Sequence, residues 1–148
     1  VKALVVFHDG LGGRQHWLAP LLKPGFKHVF VALLNGNYWI RVDGCRGIPE
    51  VEVVCGADYD LAGFYWGEGY TVIETEQGQA PVLAPLVHNN CVGLAKVALC
   101  LKSMALTPYG LYRYLERKQH EASRIRRQPS QATRGPAAGP AACSDPGA

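Results

Sequence analysis

Three residues of this chain have the types that thiol chemistry needs. Cys91 stands in PLVHNNCVGLAKVALC, residues 85 to 100, where a polar stretch gives way to an apolar, helical run. His28 and Asp43 bracket HVFVALLNGNYWIRVD. Cysteine catalysis uses a thiolate, a base that holds its proton and a third group that orients the base. The start of a helix favours a thiolate, because the unpaired N–H groups and the helix dipole attract an anion. The sequence predicts such a start at Cys91, capped by Asn89 or Asn90.

A hairpin is expected to bring His28 to Asp43. HVFVALL and YWIRVD are β-rich runs flanking Asn35-Gly36, a pair suited to the positive φ values of a tight I′ turn. With Asn35 and Gly36 at the turn centre, Leu34 opposes Asn37, and His28 falls directly across from Asp43 on one face. A Gly36-Asn37 centre would instead oppose Phe30 to Asp43, two residues from His28.

The remaining elements frame this pair. VKALVVF, IPEVEVVCG, GYTVIETE and APVLAPL read as strands. WLAPLLKPGF reads as a loop or short turn broken by Pro20 and Pro24. GADYDLAGFYWGEGY, rich in aromatics and glycine, is expected to be a loop over the core or a wall of a groove. Trp39, Tyr38, Tyr65 and Trp66 are candidate groove residues, with core packing as the simpler role. The run CVGLAKVALCLK is apolar on almost every side, which predicts a buried helix. Cys100, in that same run, is expected to be only a buried hydrophobe. Thr107-Pro108 opens a second helix, PYGLYRYLERK, with Thr as cap and Pro at the first position.

At 148 residues, 48% of them apolar, the chain is long enough for one domain with a substantial core. No apolar run approaches the roughly 18 residues of a membrane span, and VKALVVF is too short for a secretory segment. A cytoplasmic protein is the expectation. The five cysteines form no CxxC pair and are odd in number, which favours reduced thiols and gives no metal-ligand spacing. GLGG at 10–13 lacks the frame of a phosphate-binding loop. No cofactor or metal is expected.

Residues 1–117 carry ten basic and ten acidic side chains, whereas 118–148 carry five basic and two acidic, which accounts for the whole net charge of +3. The domain is therefore drawn at 1–117 and a basic tail at 118–148. From Gln128 the tail is mostly Ala, Pro and Gly with Ser, Gln and Arg, too poor in apolar groups to offset ordering entropy, and is expected to be disordered. Its charge offers a contact with nucleic acid, although a solvated tail accounts for it as well.

The order of His28, an acidic residue 15 positions later, and Cys91 at the head of a buried helix resembles circularly permuted papain-like cysteine peptidases and amidases. These include the permuted NlpC-like group, with lecithin retinol acyltransferase as a related acyl-transferring branch. The segments PGFKHVFVALL…YWIRVD, NNCVGLAKVALCL and TPYGLYRYL also look like those of small phage-derived proteins. The likeness spans residues 24 to 115. It implies an α+β domain, an antiparallel sheet packed on the cysteine helix. It further implies Cys91 as nucleophile, His28 as base and Asp43 as orienting residue, with the Cys91 N–H in an oxyanion hole. The implied substrate is a peptide, peptidoglycan or acyl group. Asn89 or Asn90 is a candidate side-chain amide for the oxyanion hole, and His88 is the rival base. A non-catalytic phage virion or interaction module on the same fold is the alternative, binding through 59–70 or the basic tail.

Overall fold

The computed structural model describes residues 1–10, 22–44, 48–79 and 90–127. Strands β1 (Lys2–His8), β2 (His28–Asn35), β3 (Tyr38–Asp43), β4 (Glu50–Gly56) and β5 (Thr71–Glu76) form one antiparallel sheet in the order β4-β3-β2-β1-β5. Helix α1 (Leu61–Gly67) joins β4 to β5, and α2 (Cys91–Ala98) and α3 (Pro108–Arg127) follow. The chain is thus α+β, with the cysteine-bearing helix lying on the sheet.

β1 is apolar at every position from Ala3 to Phe7 and buried throughout that run, as a strand covered on both faces must be. Ala3, Val5 and Phe7 pack with Val29 and Val31 against Val92, Ala95 and Leu99 of the α2 segment and Leu111 and Leu115 of α3. The alternate residues, Leu4 and Val6, join Phe30, Ala32 and Trp39 beneath Leu61, Ala62 and Tyr65 of α1. Two helices therefore cover one face of the sheet and one short helix covers the other. Among the described residues no helix is long and apolar enough to cross a membrane.

The hairpin takes the second of its two registers. Asn35 pairs with Tyr38 and Val31 with Val42, so Gly36 and Asn37 form the turn, not Asn35 and Gly36. Of the two turn residues only Gly36 has positive φ, at 59°. That is the demand of a II′ turn, which wants glycine first. The slip is by two residues, so each side chain keeps its face.

Three further expectations are corrected. The aromatic, glycine-rich segment contains α1 and is not merely a loop. Asp60 caps it by accepting the Gly63 N–H at 2.9 Å, and Leu61, Ala62 and Tyr65 share its buried side. Cys100 lies outside α2, in the left-handed region at φ 51°. There Leu101 N–H reaches the Lys96 carbonyl and Cys100 N–H reaches the Val97 carbonyl, the bonding of a Schellman end. Finally, α3 continues to Arg127, so residues 118–127, assigned by charge to the tail, are helical. Lys, Gln, Glu, Ala and Arg in that stretch are good helix formers. The expected strand APVLAPL, most of the WLAPLL loop and the segment from Gln128 lie outside the described residues.

Candidate thiol site

The ends of three neighbouring strands meet at one edge of the sheet. His8 ends β1, His28 begins β2 and Asp43 ends β3. His8 and His28 are paired directly in the β1–β2 ladder. Continuing the β2–β3 register by one step sets Asp43 opposite Phe30, so it reaches His28 on a diagonal. The contact is close: His28 Nε2 donates to Asp43 Oδ1 at 2.7 Å, with side-chain exposures of 20% and 12%.

Cys91 arrives from the helical layer. Asn90 caps α2 by accepting the Gly93 N–H on its Oδ1 at 2.7 Å, and Cys91 is the first helical residue. Gly44, immediately after Asp43, lets the helix start come close to the sheet. A Cβ there would stand 3.1 Å from the Cys91 Cα and 3.3 Å from the Leu94 side chain. Cys91 is half-buried, and it lies close enough to the His28 ring to favour that ring's cation. With Nε2 engaged by Asp43, Nδ1 is the ring nitrogen left for the thiol proton.

The electrostatics favour a charged imidazole. Burial works against the His28 cation, but hydrogen bonds and charge from Asp43 and Cys91 outweigh it and raise the pKa to about 10. Burial likewise opposes the Asp43 carboxylate, yet the His28 hydrogen bond and charge, aided by Arg41, hold its pKa below the ordinary value of 3.8. His8 goes the other way. Burial, reinforced by the positive charge of His28, lowers its pKa to about 4, so it is neutral where His28 is charged. Its Nδ1 accepts the Gly10 N–H at 2.9 Å, which leaves the proton on Nε2.

Cys91, His28 and Asp43, picked out by type and order, are thus brought together. The other candidates fare differently. Asn90 uses its side-chain oxygen for the cap, which leaves its amide NH2 as the group able to face an oxyanion. Asn89 and His88 lie outside the described residues. Trp39 and Tyr65 are core residues, 4% and 6% exposed, not groove walls, because their positions on β3 and α1 point into the layer between them. Trp66 is exposed on the outer side of α1. His8 was missed as a neighbour of the site, since only the β1–β2 pairing places it there. Among the described residues no three of His, Cys, Asp and Glu are arranged to hold a metal ion.

No family model matches the chain, and no match was found among curated proteins or among solved structures.

Proposed function

We propose that this chain is a cysteine-dependent hydrolase or acyltransferase acting on an amide or ester, on a permuted papain-like domain. The observation that carries this reading is the His28 imidazole shared between a carboxylate, 2.7 Å from Nε2, and the thiol of the first residue of α2. In the first half-reaction the Cys91 thiolate attacks the carbonyl carbon. The C–S bond forms, the bond to the leaving nitrogen or oxygen breaks, and His28 passes the proton from Nδ1 to the leaving group. In the second, water or another nucleophile gives its proton to His28 and attacks the thioester, and the Cys91 thiolate leaves. Asp43 holds the ring in place and favours its cation. The Cys91 N–H, in the first turn of α2, has no intrahelical acceptor and is suited to the developing oxyanion. A peptide, a peptidoglycan peptide or another acyl compound is the substrate class.

The test is the pH dependence of iodoacetamide alkylation at Cys91, read by mass spectrometry, with His28→Ala alongside. Fast labelling down to about pH 6 that disappears in His28→Ala is the expected result for a thiolate–imidazolium pair. Labelling that follows an ordinary thiol and ignores His28 would end the enzymatic reading. The chain would then be an interaction module, with Tyr59, Phe64 and Trp66, 49%, 46% and 53% exposed, as its contact surface.

A further inference from the structure

We propose that His8 is a positioning residue for His28: its ring is the wall that keeps the His28 ring from turning about its Cβ–Cγ bond, an assignment that rests on the thiol chemistry above. His8 and His28 are opposed in the β1–β2 ladder, so their side chains leave the sheet on the same face. Their rings stand 5.1 Å apart at 82°, edge to face.

The Asp43 bond alone restrains that turn weakly. The Cβ–Cγ torsion of a histidine is broad, without the narrow wells of an aliphatic side chain. Nε2, which is 2.7 Å from Asp43 Oδ1, lies close to the axis of the turn and moves little. Nδ1 lies farther from the axis and moves most, and it is the nitrogen left for the thiol proton. A flat group packed on the ring stops this motion where the hydrogen bond does not.

His8 is itself held in place. Its Nδ1 accepts the Gly10 N–H at 2.9 Å. Its ring packs against Phe30 at 5.6 Å and Tyr70 at 5.0 Å. Both of these rings lean on Tyr65, which is buried in the layer under α1, and the Tyr70 N–H donates to the Tyr65 carbonyl. His8 Nε2 is buried without a hydrogen-bond partner among the described residues. With Nδ1 bonded to Gly10 and Nε2 sealed, His8 has no free lone pair for a proton, so its role is steric and not that of a second base. Among the charged groups around it, His28, Asp43, Asp9 and Arg41, it stays neutral and adds no repulsion to the His28 cation.

The test compares the full chain with His8→Leu and His8→Phe. Leucine fills the space without a flat ring, and phenylalanine keeps a ring without its nitrogens. Cys91 alkylation by iodoacetamide is followed across pH by mass spectrometry, and the His28 ring by NMR. In a folded His8→Leu we expect labelling at about pH 6 to fall about tenfold, as when a reacting group is slightly misplaced, and the His28 ring signals to broaden. His8→Phe should recover most of that rate and keep the signals sharp. A merely structural contact would lower Tm and leave the pH profile where it is. Unchanged labelling in a folded His8→Leu, or an equal loss in both variants, would overturn the proposal. If His8→Leu does not fold, the His28 ring signals of His8→Phe decide, and broadening there overturns the wall. Failure of the thiol reading looks different: the wild-type protein then labels as an ordinary thiol whatever stands at position 28, while the ring signals still report on His8.

Discussion

Asp43 and His28 are joined across a diagonal of the sheet. Asp43 is opposite Phe30 by register, yet its Oδ1 lies 2.7 Å from His28 Nε2. The diagonal neighbour in an antiparallel pair is still within reach of a long or aromatic side chain. It leaves the position straight across from His28 on its other side to His8, and it leaves Nδ1 as the ring nitrogen not bonded to Asp43.

The carboxylate charge, beyond the hydrogen bond, holds the imidazole in its charged form. Asp43→Asn keeps an acceptor oxygen and removes the charge. We expect the His28 midpoint, followed by NMR of the ring, to fall by at least one unit from its raised value, toward the ordinary histidine range. Stability should drop by about 1–3 kcal/mol, as for a part-buried pair that loses one partner. An unchanged His28 midpoint in Asp43→Asn would mean that the pairing does not set the charge of the ring.

The pH dependence of stability follows from three shifts of different sign. His28, raised from 6.5 to about 10, contributes stability that is complete below 6.5 and is lost as pH rises through 10. His8, lowered from 6.5 to about 4, contributes stability that is complete above 6.5 and is lost as pH falls through 4. Asp43, held below 3.8, contributes stability present above 3.8 and lost as pH falls through its folded-state value. The contribution of these groups therefore peaks near pH 6.5. Urea midpoints at about pH 5, 6.5 and 9 should decline on both sides, with the alkaline loss flattened in His28→Gln and the acid loss flattened in His8→Phe. Wild-type-like slopes in both variants would contradict these assignments.

The parts of the site that were legible share a local signature. The Asn35-Gly36-Asn37 turn between two β-rich runs brings His28 to Asp43 in either register. The apolar run after Asn90 marks a buried helix, so its first residue, Cys91, was legible as well. His8 was not, because its place depends on β1 pairing with β2 across the intervening loop, and nothing local to VKALVVF records that partner. α1 was obscured by Gly63, Gly67 and Gly69, which lower helix propensity. Packing of Leu61, Ala62 and Tyr65 on the sheet forms the helix despite them. The end of α2 was misjudged because apolar residues continue through Leu101. The chain turns at Cys100 by adopting positive φ, which side-chain type alone does not announce.

Gly44 governs how closely the thiol approaches the dyad. Gly44→Ala would set a Cβ 3.1 Å from the Cys91 Cα and 3.4 Å from its N, so the start of α2 must move away by a few tenths of an ångström. Such overpacking costs about 1–3 kcal/mol. Displacement of a nucleophile by a fraction of an ångström is expected to slow the reaction about tenfold or more. We expect a modest fall in Tm together with a large fall in the His28-dependent alkylation rate of Cys91. A normal alkylation profile in a folded Gly44→Ala protein would show that the contact does not set the thiol's position.

Cys100 occupies a backbone conformation that glycine takes more readily. At φ 51° it sits where helices ending in a Schellman motif usually place glycine, and the left-handed region costs other residues about 1–2 kcal/mol. Cys100→Gly is expected to raise stability by about 0.5–1 kcal/mol after the loss of some side-chain contact. It also removes a thiol that competes for alkylating reagents. Calorimetry gives the sign directly: a lower Tm would mean that the half-buried Cys100 side chain contributes more by packing than its backbone costs.

Lys96 ties the Cys91 helix to the segment that leads into α3. It is 5% exposed, and its Nζ donates to the carbonyls of Ser103 and Ala105 at 3.3 and 3.0 Å. The segment from Lys102 to Leu106, which links the two helices, is thereby anchored from within. Lys96→Met fills the same space but leaves both carbonyls without this donor, and we expect a loss of about 1–3 kcal/mol. Lys96→Arg keeps donors but carries a larger planar head, and it should restore part of that loss. Hydrogen exchange separates a local effect from a global one. Faster exchange confined to residues 101–107 in Lys96→Met would identify Lys96 as the anchor of this link. Uniform acceleration through β1 and β2 would instead make it a general core contact, and full stability in Lys96→Met would deny it either role.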